Sequence, residues 1–298
     1  MKILINVLLA VLGLVLLWYI VKYVLIGTLA VIFVLIIEAP KKLSQLLNAL
    51  FRFGFKKMRL PRKSALNELA KLVGMENIKK EVFSLIDFLK VQKQREKAGL
   101  KTQPVSLHAV FCGPPGTGKT TIARILGKIY QEIGLLPSGH LIETDRSGLV
   151  GQYLGETAIK TNKMIDSALG GILFIDEAYA LKPEHNSRDF GPEAIDTLVK
   201  RMEDDRSRFA VIVAGYPSEM ERFINSNPGL KSRFNRYFYF EDSKPNELFQ
   251  IFLRLAKQNQ YTIAKDAQQK ALELFTELYD HRDQRFGNGR LVRNIFEK

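Results

Sequence analysis

The stretch "HAVFCGPPGTGKTTIARILGKIY", residues 108–130, constrains the fold more than any other part of this 298-residue chain. A short apolar run leads into a glycine-rich loop, and an amphipathic pattern follows at once. That order reads as a buried strand, a tight loop and a helix. The loop fits G-x-x-x-x-G-K-S/T as Gly113, Pro114, Pro115, Gly116, Thr117, Gly118, Lys119 and Thr120, with Thr121 beside it as a further contact. The glycines let backbone N–H groups close on phosphate oxygens, and the helix start adds its positive dipole end. Lys119 is expected on the β- and γ-phosphates, and the Thr120 hydroxyl on Mg²⁺. Strands and helices alternate over residues 101–242, which implies an α/β domain built on a parallel sheet.

A second segment, "GGILFIDEAYAL" (170–181), supplies what a phosphate loop lacks. Its apolar core, Ile172 to Ile175, reads as a buried parallel strand that ends on two acids. Ligands in open α/β sheets sit at the carboxyl ends of strands. Asp176 is therefore expected to hold Mg²⁺ through water, and Glu177 to orient and deprotonate an attacking water. A switch-type GTPase has no need of the second acid. Two fragments, "HRDQRFGN" (281–288) and "DFG" (189–191), match kinase signatures, but they stand far apart and in the wrong order. Cys112 lies in the apolar strand and reads as a small buried hydrophobe. The four histidines (His108, His140, His185, His281) show no zinc-like spacing.

The net charge of +13 is concentrated. Residues 41–63 hold eight lysines and arginines and no acid, and residues 1–40 are +1, which leaves +4 for residues 64–298. A near-neutral body argues against a nucleic-acid partner. Residues 3–37 are apolar apart from Asn6, Lys22, glycines and one threonine, which implies an N-terminal transmembrane helical segment over residues 1–40. One straight helix of that length reaches about 52 Å against a hydrocarbon core of about 30 Å, so a single long span and a tight hairpin both remain open. The positive cluster behind it places the C-terminal body on the cytoplasmic face of the membrane. Within the basic amphipathic linker, residues 41–65, the run "LSQLLNALFRFGF" (43–55) reads as an interfacial helix on anionic lipid, or else as a helix packed on the body.

With the phosphate loop and "FIDEAYAL" in place, the chain resembles the AAA+ ATPases. Within them it is most similar to the subgroup of stage V sporulation protein K and the red-type Rubisco activase CbbX. The resemblance runs over residues 66–298 and is carried by "LVGMENIKKEV" (72–82), the phosphate loop, "DRSGLVGQYLGET" (145–157), "GGILFIDEAYAL", "FGPEAIDTLVKRMED" (190–204), "VIVAGYPSEMERFINSNPGLKSRF" (211–234) and "FGNGRLVRNIFEK" (286–298). It implies a P-loop AAA+ parallel sheet with helices on both faces (66–242), followed by a small all-α lid (243–298). It also implies a homo-hexameric ring that hydrolyses ATP with Mg²⁺ at subunit boundaries. Arg233 would be the arginine finger reaching the neighbour's γ-phosphate, with Arg236 as a second candidate, and Arg290 would be the lid's sensor. Val73 and Gly74 would lie against the adenine.

The same resemblance gives a role to Tyr153 and Leu154, set with Gly155 in a loop after the second strand. There they would face a central pore and grip a protein substrate, whereas without the family context a tyrosine folded onto the core is the plainer reading. Two departures stand out. The position that usually carries a polar sensor after the fourth strand falls near Tyr216, and the chain stops soon after Arg290, which points to a lid short of its last helix. The expected function is a membrane-anchored ATPase that remodels or threads a protein. The alternative is an ATP-gated membrane scaffold whose slow hydrolysis only times disassembly.

Overall fold

The structure is a computed structural model that describes residues 64–102, 105–153, 155–183 and 189–297, all within one compact unit, Pro61–Lys298. The expected membrane segment, the run 43–55 and Leu154 lie outside the described residues. Among the described residues, no helix is long and apolar enough to cross a membrane.

Two helices lead in, α1 (Ala65–Ala70) and α2 (Glu76–Lys97). Ser64 caps α1 by accepting from the Leu66 N–H, and the Glu132 carboxylate accepts from the Ala65 N–H at 2.8 Å, which ties α1 to the helix behind the phosphate loop. The sheet elements follow in alternation: β1 (Ala109–Cys112), α3 (Lys119–Glu132), β2 (Leu141–Thr144), α4 (Arg146–Leu149), α5 (Glu156–Ala168), β3 (Ile172–Ile175), a 3₁₀ turn (Ala178–Leu181), α6 (Gly191–Asp204), β4 (Ala210–Gly215), α7 (Pro217–Asn225), α8 (Pro228–Arg233) and β5 (Tyr237–Tyr239). All the pairings are parallel, in the order β2-β3-β4-β1-β5. In register, Phe111 faces Ala214 on one side and Phe238 on the other.

Because successive strand residues point to opposite faces, each central strand feeds two cores. Phe111, Phe174 and Ile212 pack with α1, α2 and α3 on one face. Val110, Leu173, Ile175 and Val213 pack with α5, α6, α7 and α8 on the other. A strand buried on both sides must be apolar throughout, which is why β1, β3 and β4 read as unbroken hydrophobic runs. Three helices complete the chain: α9 (Pro245–Gln258), α10 (Lys265–Asp280) and α11 (Asn288–Phe296). They close on their own small core of Leu248, Phe275, Phe286 and Val292. Arg290 lies within α11, which runs to Phe296.

The two kinase-like fragments have structural roles. Asp189 takes a bidentate ion pair from Arg146, at 2.6 Å on one arm, and its Oδ1 accepts from the Gly191 N–H at the start of α6. Residues 281–287 form the turn between α10 and α11.

Candidate active site

The carboxyl ends of β1, β3 and β4 open into a cavity of about 430 Å³. Gly113, Pro115, Gly116, Gly118, Lys119, Thr120 and Thr121 line it from the loop after β1, Asp176 and Glu177 from the end of β3, and Gly215 and Tyr216 from the end of β4. The lid closes the remaining side with Ile251, Leu255, Gly289, Arg290 and Arg293.

The loop's shape follows from its glycines. Gly118 sits at φ +91, in the left-handed region, directly before α3. Gly116 is at φ +73, and a Cβ there would lie 2.0 Å from the Gly287 carbonyl oxygen of the lid, so backbone approaches backbone with no room for a side chain. The Thr117 hydroxyl turns inward and donates to the Pro114 carbonyl at 2.8 Å. Lys119 Nζ donates to the Gly113 and Pro114 carbonyls at 2.8 and 2.7 Å. Burial pushes the Lys119 pKa down, while the Asp176 carboxylate pushes it the other way. An ammonium held in a half-desolvated loop gains most from a polyanion. Thr120 and Asp176 offer a hydroxyl and a carboxylate, hard oxygen donors of the kind Mg²⁺ takes while keeping several waters. Among the described residues, no group of three or more histidine, cysteine, aspartate or glutamate side chains is placed to hold a metal ion.

Glu177 has φ +47, a left-handed conformation for a residue with a Cβ. Asp176 stabilises it by accepting from the Glu177 N–H at 3.1 Å, and the Asp176 N–H in turn donates to the Thr144 carbonyl. The two acids also face a second cavity of about 470 Å³, lined by Asp145, Arg146, Ser147, Gly151, Gln152 and Lys160 among others. It joins the acidic pair to the base of the loop that carries Tyr153. Tyr153 is 69 % exposed and does not fold onto the core. The Glu156 carboxylate holds the stem by accepting from the Gln152 and Tyr153 N–H groups, both at 3.2 Å.

Other expected residues fall elsewhere. Val73 and Gly74 are not among the residues that line the main cavity; Gly74 abuts the Glu247 carboxylate of the lid, and Met75 approaches Gly118. Arg233, at the end of α8, lies away from its own chain's cavity. It pairs with Glu203 at 3.4 Å and donates to the Gly229 carbonyl, and its Nε is buried without a hydrogen-bond partner. Arg236 lines a separate pocket with Lys80, Glu81 and Ser84 of α2. Cys112 is buried, and burial raises its thiol pKa to about 11, so it carries no thiolate chemistry.

Sequence reasoning missed the lid residues Ile251, Leu255 and Arg293. The spacing of Arg293 three residues after Arg290 puts both cations on one face of α11 and was available as a signal. The apolar pair on α9 had no local motif to announce it.

A parallel sheet with this strand order, a phosphate loop after β1, an acidic pair after β3 and a three-helix lid over the cavity define a P-loop nucleotide hydrolase. Residues 109–242 match the ATPase family associated with various cellular activities (AAA), residues 244–298 match the AAA lid domain, and the chain belongs to that family as an ATP-hydrolysing enzyme. It is 45 % identical over 232 residues to stage V sporulation protein K of Bacillus subtilis, covering 78 % of this chain and 72 % of that one. It is 40 % identical over 227 residues to the chloroplastic ribulose bisphosphate carboxylase/oxygenase activase of Cyanidioschyzon merolae, covering 76 % of this chain and 77 % of that one. The ESX-3 secretion system protein EccA3 of Mycobacterium tuberculosis is 42 % identical over 242 residues, 78 % of this chain but only 38 % of that protein's length. Among solved structures, a point mutant of RuvB from Thermotoga maritima superposes with a TM-score of 0.54 at 22 % identity, over 77 % of this chain and 63 % of that one, which shows the shared fold.

Proposed function

We propose that this chain is a membrane-tethered ATPase that works as a ring, hydrolyses ATP at the boundaries between copies, and remodels or threads a protein substrate. The observation that carries this reading is the convergence of Lys119, Thr120, Asp176, Glu177 and Arg290 on one cavity, with Tyr153 exposed on the loop next to it. In the proposed cycle Lys119 exchanges its loop carbonyls for the β- and γ-phosphate oxygens. Glu177 accepts a proton from the attacking water as it reaches the γ-phosphorus. Thr120, and Asp176 through water, would hold Mg²⁺, which would supply charge neutralisation at the phosphate oxygens. Arg290 reaches the phosphates from the lid. Arg233 of a neighbouring copy provides the remaining positive charge once it leaves Glu203, and an arginine supplied this way contributes about 10³-fold or more.

A protein client fits the printed name of the activase relative, whose object is itself an enzyme. The apolar run of residues 3–37 and the basic segment behind it support the tether, and the positive charge favours the cytoplasmic face for the ATPase. A second reading, an ATP-gated membrane scaffold with slow timing hydrolysis and no threading, is favoured by one observation. Tyr216, not an amide or small hydroxyl, lines the cavity at the end of β4.

Two variants separate these readings. Glu177→Gln is expected to lower kcat about 10²-fold or more with ATP still bound, since general-base catalysis contributes on that scale. Tyr153→Ala is expected to keep basal hydrolysis and lose its stimulation by substrate. A Glu177→Gln enzyme that turns over at the normal rate sinks the hydrolytic assignment. A Tyr153→Ala enzyme with unchanged stimulation sinks threading and leaves the scaffold.

A further inference from the structure

The fragment "HRDQRFGN" takes no part in the hydrolytic cycle, yet its last residue is among the most constrained in the molecule. Asn288 is fully buried and holds φ +47. Its Oδ1 accepts from the Ser243 N–H at 2.8 Å. The two hydrogens on its Nδ2 are shared among three acceptors, the Asp242 carboxylate at 2.8 Å, the Phe286 carbonyl at 3.0 Å and the Pro115 carbonyl at 3.2 Å. One amide therefore touches three segments that are distant in sequence: the phosphate loop, the joint between β5 and the lid, and the turn that starts α11. Arg282, from the same fragment, adds a second arm. Its Nε lies 3.5 Å from Asp242 and its guanidinium sits 3.8 Å over the Tyr279 ring.

The contact with the phosphate loop is directional. The Gly289 N–H donates to the Gly116 carbonyl at 3.1 Å, next to the Asn288 bond to Pro115. A trans peptide unit is planar, with its N–H opposed to its C=O. Holding the Pro115 and Gly116 carbonyls from the lid side therefore fixes the Gly116 and Thr117 N–H groups in the opposite direction. Those loop N–H groups are what a phosphate requires. Any turn of these peptides toward or away from phosphate changes what Asn288 and Gly289 can hold, and with it the seat of α11 and Arg290.

We propose that Asn288 is a positioning residue that couples occupancy of the phosphate loop to the orientation of the lid, with Asp242 and Arg282 as its anchor in the joint. The inference rests on the nucleotide-site reading above. It also explains why an asparagine stands where the backbone is left-handed: among residues with a side-chain amide it tolerates that region best, and a hydrophobe could satisfy none of these groups.

The test uses the full-length protein with ATP and ADP. Asn288→Gly deletes the amide but keeps the backbone conformation, and Asn288→Asp keeps the shape but sets an acceptor against Asp242 and Pro115. Both are expected to raise the KM for ATP by about fivefold or more while kcat at saturating ATP falls less than about threefold. Both should also lose the ADP-dependent hydrogen-exchange protection of residues 245–296, an effect that a merely structural role would not single out. Arg282→Gln, at an exposed position and folding independently of the buried amide, is expected to raise KM by about twofold and decides the matter if the Asn288 variants do not fold. Wild-type KM and wild-type lid protection in these variants would overturn the coupling. A wild-type protein with no affinity for ATP would instead overturn the nucleotide-site reading itself.

Discussion

A single histidine shows how a residue's role can be invisible in its neighbours along the chain. His108 precedes β1 and is 2 % exposed, with its Nδ1 accepting from the Val211 N–H at 2.9 Å. Burial, chiefly, lowers its pKa to about 4; a backbone bond at Met202 opposes that shift and the nearby Arg233 adds to it. The folded state thus keeps the ring neutral where the unfolded chain takes up a proton. Its contribution is complete above a pH of about 6.5 and is lost as pH falls from there toward about 4, at about 1.4 kcal/mol per pH unit for one group. His108→Asn retains an acceptor for Val211 but cannot be protonated. Denaturation measured across that window should show a shallower loss of stability in the variant than in the wild type. Parallel slopes would remove His108 as the cause.

Among elements, the coupling of α5 to α6 matters most, because α5 starts at the Tyr153 loop. Arg201 on α6 donates to Asp166 and Asn162 of α5, at 2.7 and 2.8 Å, and to Asp205 at 2.8 Å. The Arg201 bond, followed by Arg208, holds the Asp205 carboxyl below the usual carboxylate range. Arg201 is mostly covered, at 17 % exposure, so solvent replaces these bonds poorly. Arg201→Ala is expected to cost about 1–3 kcal/mol in chemical denaturation. Arg201→Lys should recover only part of that, because a point charge cannot reproduce three forked bonds. A loss within about 0.5 kcal/mol would mean the pair is held by its apolar contacts alone.

At the scale of the whole molecule, the described unit carries the proposed catalytic residues, and the proposed tether precedes it in sequence, in residues 1–40. The full-length chain is expected to stay with membranes through an alkaline carbonate wash, and a chain lacking residues 1–40 to be released. Release of the full-length chain by that wash would exclude a spanning anchor and leave the basic residues 41–63 as a peripheral attachment.

The sequence by itself determined what depends on near neighbours. The phosphate loop, the acidic pair after β3 and the apolar strands were all legible, because loop geometry and strand burial are written within a few residues. The exposed Tyr153 was legible as an oddity and gained a role only from the resemblance. Tertiary structure alone decided which lid residues close the cavity, that Arg233 rests on Glu203, and that Asn288 binds Pro115 and Asp242 across 173 and 46 residues of chain. The physical reason is that such contacts form only after sheet and lid have packed. A buried amide or a cation at a cavity wall takes its partners from whatever segments that packing brings within about 3 Å, and no local pattern encodes them.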